Sequence, residues 1–160
     1  MNNAITNQKE AIVEILDNIP VDVDVDALLT HTHISPESRF GQELQTLIES
    51  IQPDIKPKAL YKEAYLQAKH EMAVEIDGIR FTSRVLRVNL DQVERVFPFI
   101  ATCGTEVEER SIHYNDVLYR YVLDTLKERV LRQAVTYLRD HIRNTHAPGP
   151  LSAMNPGSLE

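Results

Sequence analysis

The sequence predicts an α+β fold, with N-terminal helices, then a twisted antiparallel sheet, then one long C-terminal helix. Three observations predict it. Two early stretches repeat their apolar residues at helical spacing. The middle of the chain changes to short β-prone runs around a hairpin signal. From Asn115 the helical period returns and holds for about 25 residues. Helices, then strands, then helices is the order of an α+β chain, not of alternating βαβ units.

Residues 7–18, NQKEAIVEILDN, place Ala11, Ile12, Ile15 and Leu16 on one helical face, and Pro20 ends the segment. VDVDVD at 21–26 alternates as a strand would. Its acidic face and the lack of a flanking pattern make it an extended connector. Ser35 and Pro36 open residues 35–52 as N-cap and first helical residue. Phe40, Leu44, Leu47, Ile48 and Ile51 mark the apolar face of that helix. KALYKEAYLQA suits a helix by its Leu60, Tyr61, Ala64 and Tyr65, and a strand by its tyrosines. In MAVEIDGIRFTS, Asp77-Gly78 lies between two β-prone runs and predicts a hairpin. SRVLRVNL (83–90) reads as a short helix capped by Ser83.

QVERVFPFIATCG (92–104) reads as a buried strand. Pro98 has no amide hydrogen, so a bulge or an edge position is expected there. Asn115 is the expected cap of the long helix. Its stripe runs through Val117, Leu118, Tyr121, Val122, Leu126, Val130, Leu131, Ala134, Val135, Leu138 and Ile142. At 1.5 Å per residue the rod is roughly 40 Å long. The tail HAPGPLSAMNPGSLE holds three prolines and two glycines in fifteen residues, the composition of a loop or arm. The chain therefore divides into an N-terminal helical segment (1–53), an α+β core (54–146) and a Pro/Gly-rich arm (147–160). No internal repeat is present.

Composition narrows the function classes. A chain of 160 residues with 42% hydrophobic and 26% charged residues forms one ordinary globular domain, with appendages at most. A formal charge of -7 repels phosphate backbones and counts against nucleic acid. No window approaches the roughly 18 apolar residues that span a bilayer. The N-terminus is polar, then amphipathic, unlike a secretory signal. A single cysteine allows no internal disulfide, so a cytoplasmic location is expected.

The stretch Arg95 to Arg110, RVFPFIATCGTEVEER, concentrates the candidate chemistry. Cys103 would need a nearby base or a helix N-terminus to become a nucleophile. Thr105 can cap such a helix, but Glu106, Glu108 and Glu109 oppose thiolate formation, and a small buried residue is the simpler reading. Gly104 suits a turn needing positive φ, or a place where something approaches the backbone closely. With Thr102 and Thr105 it makes TCGT, either a plain tight turn or a ligand-contacting one. His31 and His33 of HTH would share one side of an extended segment, a spacing able to bind metal, but no third ligand accompanies them. No phosphate-binding glycine loop, nucleophile elbow or zinc-protease motif occurs.

Three segments taken together resemble the activation (reactivation) domain of vitamin B12-dependent methionine synthase. FPFIATCGTEVEE is similar to that family's strand and T-x-G turn followed by acidic residues. LYRYVLDTLKERVLRQAVTYL is similar to its long helix with a Leu-Asp pair near the start. NPGS resembles the Pro-Gly-Tyr turn that follows, and EIDGIRFTS fits the hairpin before the strand in stand-alone members. The resemblance covers about residues 55–158. It implies an accessory role in methionine biosynthesis, in which S-adenosylmethionine presents its methyl group to cob(II)alamin held by a neighbouring domain. It also implies a corrinoid protein or methionine synthase cobalamin domain as partner, with a flavodoxin-like or other reductant. The implied cofactor-binding residues are Asn155, Pro156 and Gly157, with Thr102 and Gly104 as a wall. No catalytic side chain and no metal site are expected.

This chain departs from the family pattern at three positions. Arg132 stands where the family has an acidic residue contacting the ligand. Ala153 replaces an arginine, and Ser158 a tyrosine. Losing both charged partners weakens the expected S-adenosylmethionine site. The alternative is a scaffold module that binds a corrinoid protein and no longer binds S-adenosylmethionine. The family continues past this turn, so the chain reads as incomplete after residue 160. Apolar surface or sheet edge left uncovered would favour a homodimer.

Overall fold

The computed structural model describes residues 12–111, 116–146 and 149–154. It is α+β, with antiparallel pairing and one long C-terminal helix. The chain forms two compact units, each assembled from segments far apart in sequence. One joins Ile15–Ala59 with Ile100–Leu151; the other is Leu60–Phe99 with the described residues 12–14 and 152–154.

The first unit is helical. Val21, Val23 and Val25 of the alternating acidic segment turn inward against its core. The aspartates between them do other work. Asp24 accepts a hydrogen bond from the Ala27 amide at 2.9 Å and caps α1 (Val25–His31). Helix α1 ends in a Schellman motif: the Ile34 amide reaches the Leu29 carbonyl at 2.9 Å and the His33 amide reaches that of Thr30 at 3.1 Å. His33 takes the left-handed position (φ 59) that glycine usually fills. The HTH segment is therefore a helix terminus and not an extended pair of imidazoles.

Helix α2 (Arg39–Ile51) buries Leu44, Ile48 and Ile51. Its cap is Ser38, which accepts from the Gly41 amide at 2.9 Å; Ser35 was the expected cap. The four residues Ser35–Ser38 form a preceding turn, closed by the Ser38 amide on the Ser35 carbonyl at 3.1 Å. Two serines three positions apart both satisfy the capping signal, and the turn decides between them.

Helix α5, Val117–Thr145, runs 29 residues without a break, about 44 Å at 1.5 Å per residue. Asp116 caps it by accepting from the Leu118 amide at 2.7 Å; Asn115, the expected cap, lies outside the described residues. The expected stripe is correct from Val122 onward, through Leu126, Val130, Ala134, Leu138 and Ile142, all buried. Before that it fails, because Val117, Leu118 and Tyr121 are exposed, as is Leu131. The core of this unit joins Leu28, Leu29, Leu44, Ile48, Leu123 and Leu126, with Val107 supplied by the short α4 (Glu106–Ser111).

KALYKEAYLQA resolves as strands: β2 (Lys58–Lys62), whose residues from Leu60 onward belong to the second unit, and β3 (Ala64–Lys69), wholly within it. The expected hairpin forms as β4 (Ala73–Ile76) and β5 (Ile79–Thr82), in register from Ala73↔Thr82 to Ile76↔Ile79. Its two-residue turn has φ 52 at Asp77 and φ 75 at Gly78, the pair of positive values a type I′ turn requires. Ser83 caps α3 (Arg84–Asn89) as expected, accepting from the Leu86 amide at 3.2 Å. The four-stranded sheet has the order β5-β4-β3-β6, where β6 is Arg95–Val96. A small core of Ala64, Val74, Ile76, Leu86 and Leu90 lies against it, with Met154 packed alongside.

Two strand expectations need correction. Residues 92–104 are not one buried strand. Phe97-Pro98 separates β6 from β7 (Phe99–Thr102), and Ile100 is 66% exposed. Proline offers no amide to a ladder; its carbonyl accepts instead from the Lys62 amide at 3.2 Å. Second, the described part of the expected 7–18 helix is a strand, β1 (Val13–Leu16), and residues 7–11 lie outside the described residues. Val13 and Ile15 are β-branched, and their alternation with Glu14 and Leu16 matches a strand as well as a helix. Strands β1, β2 and β7 make a three-stranded sheet in the order β1-β2-β7.

Candidate functional site

The Thr-Cys-Gly corner is where β7 gives way to α4. Thr102 ends the strand, and its hydroxyl oxygen accepts from the Gly104 amide at 3.1 Å. Gly104 has φ 88, a conformation that costs an L-residue roughly 1–2 kcal/mol. The space beside it is also taken. A Cβ there would lie 2.0 Å from Glu106 Oε2 and 3.2 Å from the Lys56 carbonyl oxygen. The Glu106 carboxylate is thus folded back over the glycine. Its Oε2 is buried, with no hydrogen-bond partner among the described residues. Desolvating a carboxylate oxygen without a donor is unfavourable, so this contact is one that the corner tolerates and does not gain from.

Of the two anticipated reasons for a glycine here, both turn geometry and close approach hold. The group that approaches is the chain's own carboxylate. Thr105 donates its hydroxyl to Glu109 Oε1 at 3.1 Å, and its carbonyl accepts the Glu109 amide at 2.9 Å.

Cys103 is half-buried against the helical core. Its sulfur lies 3.5 Å from the Gly104 carbonyl, and among the described residues no imidazole or amine hydrogen-bonds to it. The same residues contain no group of three His, Cys, Asp or Glu side chains placed to hold a metal. The corner therefore has backbone and hydroxyl groups to offer, but no assembled nucleophile and base.

A second feature of the helical unit is a shallow groove of about 410 Å³ along α5. It is lined by Pro20, Arg132, Gln133, Thr136, Tyr137 and Asp140. Gln133 is its fixed point. The side-chain amide accepts from the Asp22 amide at 3.0 Å and donates to the Asp22 carbonyl at 2.5 Å, as a neighbouring strand would. The charged walls are engaged along their own helix. Arg132 makes two hydrogen bonds to Glu128 Oε1, at 2.6 and 3.1 Å, and Asp140 pairs with Arg143 at 2.7 Å.

The structure brings Thr102 and Gly104 together at the corner. Asn155, Pro156 and Gly157 lie outside the described residues, as does Ser158. Ala153 is exposed, and its neighbour Met154 packs on the sheet core.

Sequence reasoning missed three features. One is the folded-back Glu106. Another is the Gln133 clamp, whose only signal is a glutamine within a helix facing an apolar-acidic repeat. The third is Tyr61, 1% exposed, which donates to Glu14 Oε2 at 2.7 Å. Burial first, then the Glu14 hydrogen bond and charge, push its phenol far above the ordinary range.

The fold and corner define an α+β protein with a long-helix scaffold and a left-handed glycine turn. The chain matches no protein-family model and no curated protein sequence. No helix among the described residues is long and apolar enough to cross a membrane.

Proposed function

We propose that the chain is an accessory domain of cobalamin-dependent methyl transfer, resembling the activation domain of methionine synthase. One observation carries the reading: a strand, a T-x-G corner with acidic residues, and a long helix follow one another in the order and spacing of that domain. The 29-residue α5 supports it, because a long helix after the corner is what the resemblance implies. The chain would hold S-adenosylmethionine near Asn155, Pro156 and Gly157, the turn the resemblance assigns to the ligand. Bound there, the ligand would supply a methylsulfonium for cobalt held by a corrinoid protein or a methionine synthase cobalamin domain, with a flavodoxin-like or other reductant as electron donor. This chain's part is positioning.

A second reading is favoured by Arg132 and Ala153. The guanidinium is tied to Glu128 where a carboxylate would be needed, and an exposed alanine stands where a guanidinium would be. Each missing charge-assisted contact is worth about 1.5–3 kcal/mol. The residues present fit S-adenosylmethionine poorly, which supports a scaffold that binds a corrinoid protein alone.

Calorimetric titration of the full chain separates the two. Saturable S-adenosylmethionine binding supports the first reading. No heat with that ligand, together with a complex with a corrinoid protein, supports the second. Failure to bind either overturns both.

A further inference from the structure

We draw no further inference here: the strongest candidate, the buried carboxylate oxygen of Glu106 at the start of α4, is a single acidic group on a six-residue helix packed against Gly104, and nothing else in the structure points to a ligand there.

Discussion

The helical unit and the sheet unit bury their side chains to different depths. In the helical unit Leu28, Leu29, Leu44, Ile48, Ile51, Val122, Leu123, Leu126 and Val130 have no exposure at all. In the sheet unit only Val74 among the five core residues reaches that state, while Leu86 keeps 9% and Leu90 7%. Four strands of six residues or fewer, one of them only two residues long, cannot enclose what a 29-residue helix packed on two others can. Apolar contacts therefore carry most of the helical unit, while turns, caps and polar ties carry a larger share of the sheet unit.

The first prediction separates the two directly. Leu126→Ala should cost about 3–5 kcal/mol, since a fully enclosed site collapses poorly around the cavity. Leu86→Ala, at the rim of the smaller core, should cost about 2 kcal/mol. Urea unfolding of both variants measures the gap; equal losses would break the contrast.

Gly104→Ala should cost about 2 kcal/mol, from the positive φ and the displaced Glu106 carboxylate. Adding Glu106→Ala should recover the part due to the clash and leave roughly 1 kcal/mol of backbone strain. A neutral Gly104→Ala, read by the same unfolding curves, would show that the corner is not strained.

Tyr61 offers a test by pH in the sheet unit. Its phenol stays protonated in the folded chain, whereas the unfolded chain titrates near the ordinary value of 10.0. Above that pH the unfolded state has lost a proton that the native state keeps, so stability falls as pH rises. The contribution is fully present below pH 10. Tyr61→Phe should lose about 1 kcal/mol at neutral pH and flatten the alkaline decline. Unfolding free energies at pH 8 and pH 11 check both parts, and an unchanged alkaline slope would overturn the assignment.

His33→Gly is the smallest expected effect and has the opposite sign. Relieving a left-handed histidine at the α1 terminus should raise stability by up to about 1 kcal/mol, visible as a higher Tm.

Local codes were legible in the sequence. Asp77-Gly78 specifies its turn through the backbone freedom of two residues, and Ser83 caps its helix whatever packs around it. The apolar period of α2 and of α5 beyond Val122 was equally plain. What escaped depends on partners distant in the chain. Ile15 and Leu16 satisfy a helical period and also sit in the alternating strand β1, and the choice between them is tertiary. Val117, Leu118 and Tyr121 extend the helical period to a part of α5 where, among the described residues, they stay exposed. The need for glycine at 104 was readable from the turn. That Glu106, out of three nearby glutamates, would lie across it was not, because nothing local distinguishes them. Of the proposed ligand-site residues, Thr102 and Gly104 are the two that lie among the described residues.

Gln133 holds the 20–23 strap by standing in for a missing strand, donor to carbonyl and acceptor to amide. Hydrolysis of that side-chain amide to a carboxylate would set two oxygens face to face. Slow chemical ageing at this one position would therefore turn one of the strap's two polar ties to α5 into a repulsion, while Val21 and Val23 stayed packed on the core.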